Sequence, residues 1–300
     1  MRKAVFCHAM WRTGSTFLFN AFRNQDSYLC FYEPFHEYIG SKRALARERE
    51  QAEIRAARLR HPVGAGSNFY AFHSQDAQRD LIPIFPYEAS VRCVLNKPSK
   101  RTVAYIKACQ EHAFEHGKTP FFGFCRSGTQ TPKLKGVDTA VHIHLWREPR
   151  TQFASYDWPN NRYFLPQTIA QLCHSRKLHH HLDRFPVKLQ PREHFRRAIS
   201  FRRYEPLNAY TTRLLEAISP AERYALFYLV WLVSRESASH VADVSINLDA
   251  LRSDHQQREA IEALFSINMD GLSAQPRQAD PSIDYSVIEK QVESQLAHFK

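Results

Sequence analysis

Six short apolar runs, at residues 4–7, 28–32, 91–95, 121–124, 141–146 and 244–248, are separated by longer segments of helical character. Runs this short suit strands buried on both faces, and strands separated by helical crossovers pair in parallel. The pattern predicts an α/β fold with a central, mostly parallel sheet flanked by helices. Helices are expected at 16–23, 41–60, 100–116 and 149–156. Another should start at Pro220. There Ser219 and Glu222 form a Ser-x-x-Glu capping box ahead of the apolar ladder Leu226, Leu229, Val230 and Val233. A last helix is expected after Pro281, with Ile283, Val287, Val292 and Leu296 as its apolar markers. The segment 41–61 is dense in arginine and glutamate, with Leu45, Ile54 and Leu59 as its few large apolar residues, so it should lie largely in solvent.

With 300 residues, 43% of them hydrophobic, the chain can bury a sizeable core, and a single domain over 1–300 is expected. The six cysteines show no C-x-x-C pair and sit mostly among apolar neighbours, as thiols do when they pack as small hydrophobes in a reducing compartment. The longest strongly apolar run, 225–233, is far shorter than the roughly 20 residues that cross a bilayer, so no membrane span is expected. A net charge of +11 favours anionic small partners without choosing among them.

The choice falls to motifs. Directly after the first apolar run comes Met10-Trp11-Arg12-Thr13-Gly14-Ser15-Thr16, and then the apolar helix Phe17-Leu18-Phe19-Asn20-Ala21-Phe22. A strand-turn-helix of this kind aims unpaired backbone N–H groups and the positive helix end at one point, where a phosphate or sulfate oxygen accepts them. Gly14 allows close backbone approach, Ser15 and Thr16 add hydroxyl donors, and Arg12 adds a planar cation suited to a tetrahedral oxyanion. The competing reading is that Thr13 or Ser15 merely caps the helix.

The wording Arg-Thr-Gly-Ser-Thr-Phe-Leu resembles the 5′-phosphosulfate loop of sulfotransferases that use 3′-phosphoadenosine 5′-phosphosulfate (PAPS). The resemblance implies a three-layer fold like that of P-loop NTPases and places Arg12, Thr13, Gly14, Ser15 and Thr16 around the donor. A true Walker pattern, G-x-x-x-x-G-K-[ST], does not occur, and that argues against ATP or GTP hydrolysis.

A second match is independent of the first. The run 141–146 ends in Arg147-Glu148-Pro149-Arg150, and Ser155 follows eight residues after Arg147. This resembles the family's 3′-phosphate site, an arginine at a strand end and a serine just over two helical turns on, and implies those roles for Arg147 and Ser155.

Between the two lies Cys30-Phe31-Tyr32-Glu33-Pro34-Phe35-His36-Glu37, similar to the segment after the second strand in carbohydrate-type and bacterial members. Glu33 is the candidate general base for the acceptor hydroxyl, and His36 is its competitor. Arg12 and the loop amides would stabilise the charge that builds on the bridging oxygen. Arg126 and Lys97 are lesser candidates, near the acceptor and the sulfuryl group.

The resemblance has edges. Arg12 stands where steroid- and phenol-directed members carry lysine, and their C-terminal Arg-Lys-Gly loop is not visible here. The chain therefore looks closer to the carbohydrate-type and bacterial branch. Golgi members of that branch open with an anchor, whereas this chain starts almost at its first strand, so a cytoplasmic, bacterial-type enzyme is expected. Acceptor-side insertions are placed around 41–90 and 157–205, and the acceptor, a carbohydrate or another small-molecule or lipid alcohol, stays open, as does oligomeric state.

No metal is expected. His179, His180 and His181 are consecutive and point apart, and His142 and His144 share a strand face without a carboxylate or cysteine set beside them. Two other functions remain open: a P-loop-type small-molecule kinase, and a non-enzymatic basic protein binding nucleic acid or an acidic glycan. The sulfotransferase reading expects no nucleic-acid partner.

Overall fold

The structure is a computed structural model and describes residues 3–56, 67–92, 98–125, 127, 131–136, 139–158, 164, 213, 216–270 and 277–297. Its chain divides into two compact units, Met1–Trp146 with Ser237–Ala274, and Arg147–Glu236 with Gln275–Lys300.

The first unit holds a five-stranded sheet of β1 (Ala4–His8), β2 (Tyr28–Tyr32), β3 (Thr119–Phe124), β4 (Ala140–Trp146) and β5 (Val244–Asn247), in the order β2-β3-β1-β4-β5. Every pairing is parallel. Strict alternation splits the side chains between two cores. On one face, Phe6, Phe31, Phe122 and Phe124 pack with residues of α2 (Lys42–Ala56), α3 (Gln75–Asp80), α4 (Tyr87–Arg92), α5 (Lys100–Glu115) and α6 (Thr131–Lys135). On the other, Val5, Cys7, Cys30, Phe121, Ile143 and Ile246 pack with α1 (Ser15–Arg23) and with a helix at His255–Phe265. All five residues of β1 are buried, as a central parallel strand requires.

Five of the six apolar runs are strands. Of the sixth, Val91 and Arg92 close α4, and residues 93–97 lie outside the described residues. A short apolar run does not by itself tell a buried strand from a helical turn, and its first two residues are helical. The charged helix α2 is mostly exposed, but Leu45, Glu48 and Ala52 form a buried stripe at helical spacing. Beyond residue 66, the stretch assigned to the acceptor side packs inward, with Phe69, Phe72, Leu81, Ile82 and Phe85 all buried.

The second unit contributes α7 (Pro149–Tyr156), most of α8 (Pro220–Ser239) and a helix at Tyr285–Ala297. The capping box forms as expected: Ser219 N donates to Glu222 Oε2 at 2.7 Å, and Glu222 N donates to Ser219 Oγ at 3.2 Å. Behind it α8 is buried continuously from Tyr224 to Trp231, which marks a core helix rather than an amphipathic one. Arg150 pairs with Glu289 through two bonds of 3.0 and 2.8 Å, and Tyr224 donates to the same carboxylate at 2.5 Å. Val287, expected as an apolar marker of that last helix, is 57% exposed, while Ile283 and Val292 are buried. Among the described residues no helix is long and apolar enough to cross a membrane.

Candidate functional site

Because all five strands run the same way, their carboxyl ends gather at one edge of the sheet. β1 connects to β2 on one side of the centre and β4 to β5 on the other, so the chain reverses between β1 and β4, where open α/β sheets bind ligands. The turn after β1 stands there.

That turn is shaped by backbone. Ala9 N donates to Phe124 O at 2.9 Å, and the Thr13 hydroxyl turns back to Met10 O at 2.8 Å. Thr13 thus spends its proton on closing the turn. Arg12 has φ 64°, and Gly14, the N-cap of α1, has φ 89° and ψ 20°. No side chain caps α1, and no acidic residue lies in its first turn, so neither Thr13 nor Ser15 is the cap. A Cβ on Gly14 would fall 2.1 Å from Cδ2 of the buried Leu248. The glycine is therefore required twice, by its left-handed backbone and by close approach.

Two hydroxyls are set at the helix start. Ser15 Oγ accepts from the Cys125 thiol at 3.1 Å, which leaves its own O–H to donate. Thr16 Oγ1 lies 3.0 Å from the Tyr32 hydroxyl and so ties α1 to the end of β2. The helix N-terminus, these hydroxyls and the half-buried Arg12 thus stand together at the carboxyl end of β1, groups of the kind that can bind a tetrahedral oxyanion.

Glu33 follows β2. Its N–H donates to Gly123 O at 2.9 Å, its carbonyl accepts from His36 N at 2.7 Å, and it is buried in a left-handed conformation with φ 38°. Among the described residues only Arg12, Glu33 and Ser266 are non-glycine residues with positive φ. Ser266 ends a helix, where that conformation is routine, whereas the other two are the candidate cation and candidate base. Glu33 lines a small, shallow recess with Pro34, Phe35, Phe124 and Cys125. His36 is committed locally. Its Nδ1 accepts from Tyr38 N at 3.3 Å, and its ring packs against Tyr38 and Phe69.

Beneath the turn lies a buried polar chain that the sequence did not announce. His8 Nδ1 is 2.8 Å from Ser127 Oγ, and His8 Nε2 is 2.8 Å from His142 Nδ1. The two imidazoles lie nearly parallel, at 3° with centroids 5.1 Å apart, as an in-plane hydrogen bond between ring nitrogens requires. Burial, helped by the neighbouring His142 and His144, holds the His8 pKa well below its ordinary value. Burial also lowers that of His142 to about 4, against an opposing pull from Asp243. The one available signal was a polar residue ending an otherwise apolar central strand. The same burial pushes the Cys7 and Cys30 thiols up to about 12, and Cys7, Cys30, Cys109 and Cys125 are all buried and outside any disulfide.

In the second unit, Arg147 and Ser155 are both buried. Arg147 precedes α7 by two residues, and its carbonyl accepts from Trp231 Nε1 at 3.1 Å. Ser155 is the next-to-last residue of α7. Lys97, Arg126 and His179 to His181 lie outside the described residues. No family model, curated protein or solved structure matches this chain.

Proposed function

We propose that this chain is a sulfotransferase that passes the sulfuryl group of PAPS to a hydroxyl acceptor, in a fold of the P-loop-NTPase kind. The observation that carries the reading is the turn after the central strand: a glycine N-cap in the left-handed region, with no side-chain cap and no acid in the first turn. Such a turn leaves backbone amides and the positive helix end for an anion. The 5′-phosphosulfate would lie against Gly14, Ser15, Thr16 and Arg12, with Thr13 holding the turn closed. Arg147 and Ser155 are assigned to the 3′-phosphate on the motif they share with the family.

In the transfer, the acceptor oxygen attacks sulfur as the bond from sulfur to the bridging oxygen breaks. The products are a sulfate ester and adenosine 3′,5′-bisphosphate. Glu33 takes the hydroxyl proton, and Arg12 with the turn amides stabilises the negative charge arriving on the departing phosphate. The strained backbone and burial of Glu33 favour it over His36, whose Nδ1 is already used in a cap.

Calorimetric titration with adenosine 3′,5′-bisphosphate, beside 5′-AMP and ATP with magnesium, tests the donor assignment. Binding of the bisphosphate alone is expected. Preference for magnesium ATP would favour a small-molecule kinase, and affinity for nucleic acid without nucleotide binding would favour the basic binding protein. Once an acceptor is in hand, Glu33→Gln should slow transfer by about 10²–10⁴-fold with bisphosphate affinity unchanged. Full activity of that variant would move the base to His36.

A further inference from the structure

On the sheet face covered by α3 and α5, three side chains with metal-binding atoms converge away from the strand ends used by the proposed transfer. Asp76 lies in the first turn of α3, and His112 and His116 sit four residues apart at the C-terminal end of α5. Residues at that spacing share a helix face. His112 is buried and His116 is exposed, so the cluster spans from core to surface.

The distances suit a single ion. Asp76 Oδ2 is 3.1 Å from His116 Nε2 and 3.8 Å from His112 Nδ1, and the three ligand atoms all lie within 4.8 Å of one another. Tetrahedral zinc, with bonds of about 2.0–2.2 Å, spaces its ligand atoms about 3.4 Å apart. The separations of 3.1 and 3.8 Å lie on either side of that spacing.

The surroundings supply a second, independent observation. His116 Nδ1 lies 2.7 Å from the carbonyl oxygen of His112. A carbonyl only accepts, so that nitrogen carries a proton and donates, which turns Nε2 toward the Asp76 carboxylate. A backbone carbonyl that fixes the tautomer is also the usual outer partner of a metal-bound imidazole. Ser74, the N-cap of α3, accepts from Ala77 N at 3.3 Å and so fixes the helical turn that carries Asp76.

The geometry points to a zinc-type divalent-cation site made by Asp76, His112 and His116, with water in the fourth position, that pins α3 to the end of α5. Imidazole and carboxylate ligands suit zinc, and cobalt fits the same set as a spectroscopic stand-in.

The test is equilibrium dialysis of the metal-free full chain against Zn²⁺, paired with the visible absorption of the Co²⁺ form. One tightly held ion per chain with a tetrahedral cobalt spectrum is expected. Asp76→Asn and His116→Gln, at positions that are not buried, should each weaken that ion by more than about 100-fold, beyond what loss of an outer partner costs. Zn²⁺ should raise the Tm of the wild type and leave that of either variant in place. Replacing His179, His180 and His181 together by glutamine should leave the first ion bound. If both single variants hold zinc as tightly as the wild type, or the wild type takes up none, the cluster is an ordinary ion pair and the site is withdrawn.

Discussion

The turns after β1 and after β4 both carry the chain from a parallel strand into a helix, and they use opposite materials. The first has a left-handed glycine as N-cap, no side-chain cap and no acid in the first helical turn. The second has Glu148 as N-cap and Pro149 at the first helical position, which removes a donor, while the Thr151 hydroxyl bonds the Glu148 carbonyl at 2.9 Å. An anion at the first turn would meet backbone N–H groups. At the second it would meet a carboxylate and a missing N–H, so only side chains such as Arg147 and Ser155 would offer it a seat. On the proposed reading, one turn works through the path of its backbone, the other through residue identity.

The largest effect is expected at the backbone-built turn. Gly14→Val forces a Cβ toward Leu248 and a branched residue into the left-handed region, which should cost about 2–4 kcal/mol of stability in urea unfolding. Bisphosphate affinity should fall with it. Retention of both would show that the turn does not depend on its glycine, and the contrast would collapse.

Arg147→Ala comes next. Loss of one charge-assisted contact to a phosphate should weaken bisphosphate binding by about 10- to 100-fold in calorimetry, with 5′-AMP affected far less. Equal losses for the two nucleotides would detach Arg147 from the 3′-phosphate.

The third effect is pH-dependent and belongs to the histidines under the first turn. The unfolded chain protonates its imidazoles near the ordinary value of 6.5, whereas the folded chain keeps His142 neutral down to about 4 and His8 neutral as well. Between those values the unfolded state binds more protons. Stability should therefore fall as pH drops from 6.5 toward 4, by up to about 1.4 kcal/mol per pH unit for each histidine. Unfolding midpoints across that range measure the slope, and His142→Gln should flatten it. A slope unchanged by that substitution would place the titrating groups elsewhere.

The smallest effect sharpens the comparison from the other side. Pro149→Ala returns an N–H to the start of α7 and should lower stability by about 0.4–1 kcal/mol through the unfolded state. Bisphosphate affinity should change less than about threefold, because the amides of this turn are not its anion seat. A marked gain in affinity would mean that both turns work through backbone.

Five apolar runs became strands because length and flanking chemistry already separate a buried strand from an amphipathic helix. The start of the run at 91–95 is helical because a few apolar residues in a row satisfy either period, and the neighbours that decide are distant in sequence. The strand-turn-helix after β1 was legible for a related reason. Strand, turn, glycine and helix are consecutive, so the geometry of residues 9–16 is a local property. The His8, His142 and Ser127 chain was not legible, since it exists only once β1 and β4 lie side by side, as Ala4↔Ala140 to His8↔His144. Nor was the cluster of Asp76 with His112 and His116, which needs α3 laid against α5.

The sequence by itself determined most element types, the capping box before α8 and the strand-turn-helix after β1, because each rests on spacing within a few residues. Tertiary structure alone decided the strand order, the left-handed burial of Glu33 and the approach of Leu248 to Gly14. It also left His8 and His142 neutral beneath the turn. Those features depend on contacts between residues far apart in the chain, and local periodicity carries no record of them.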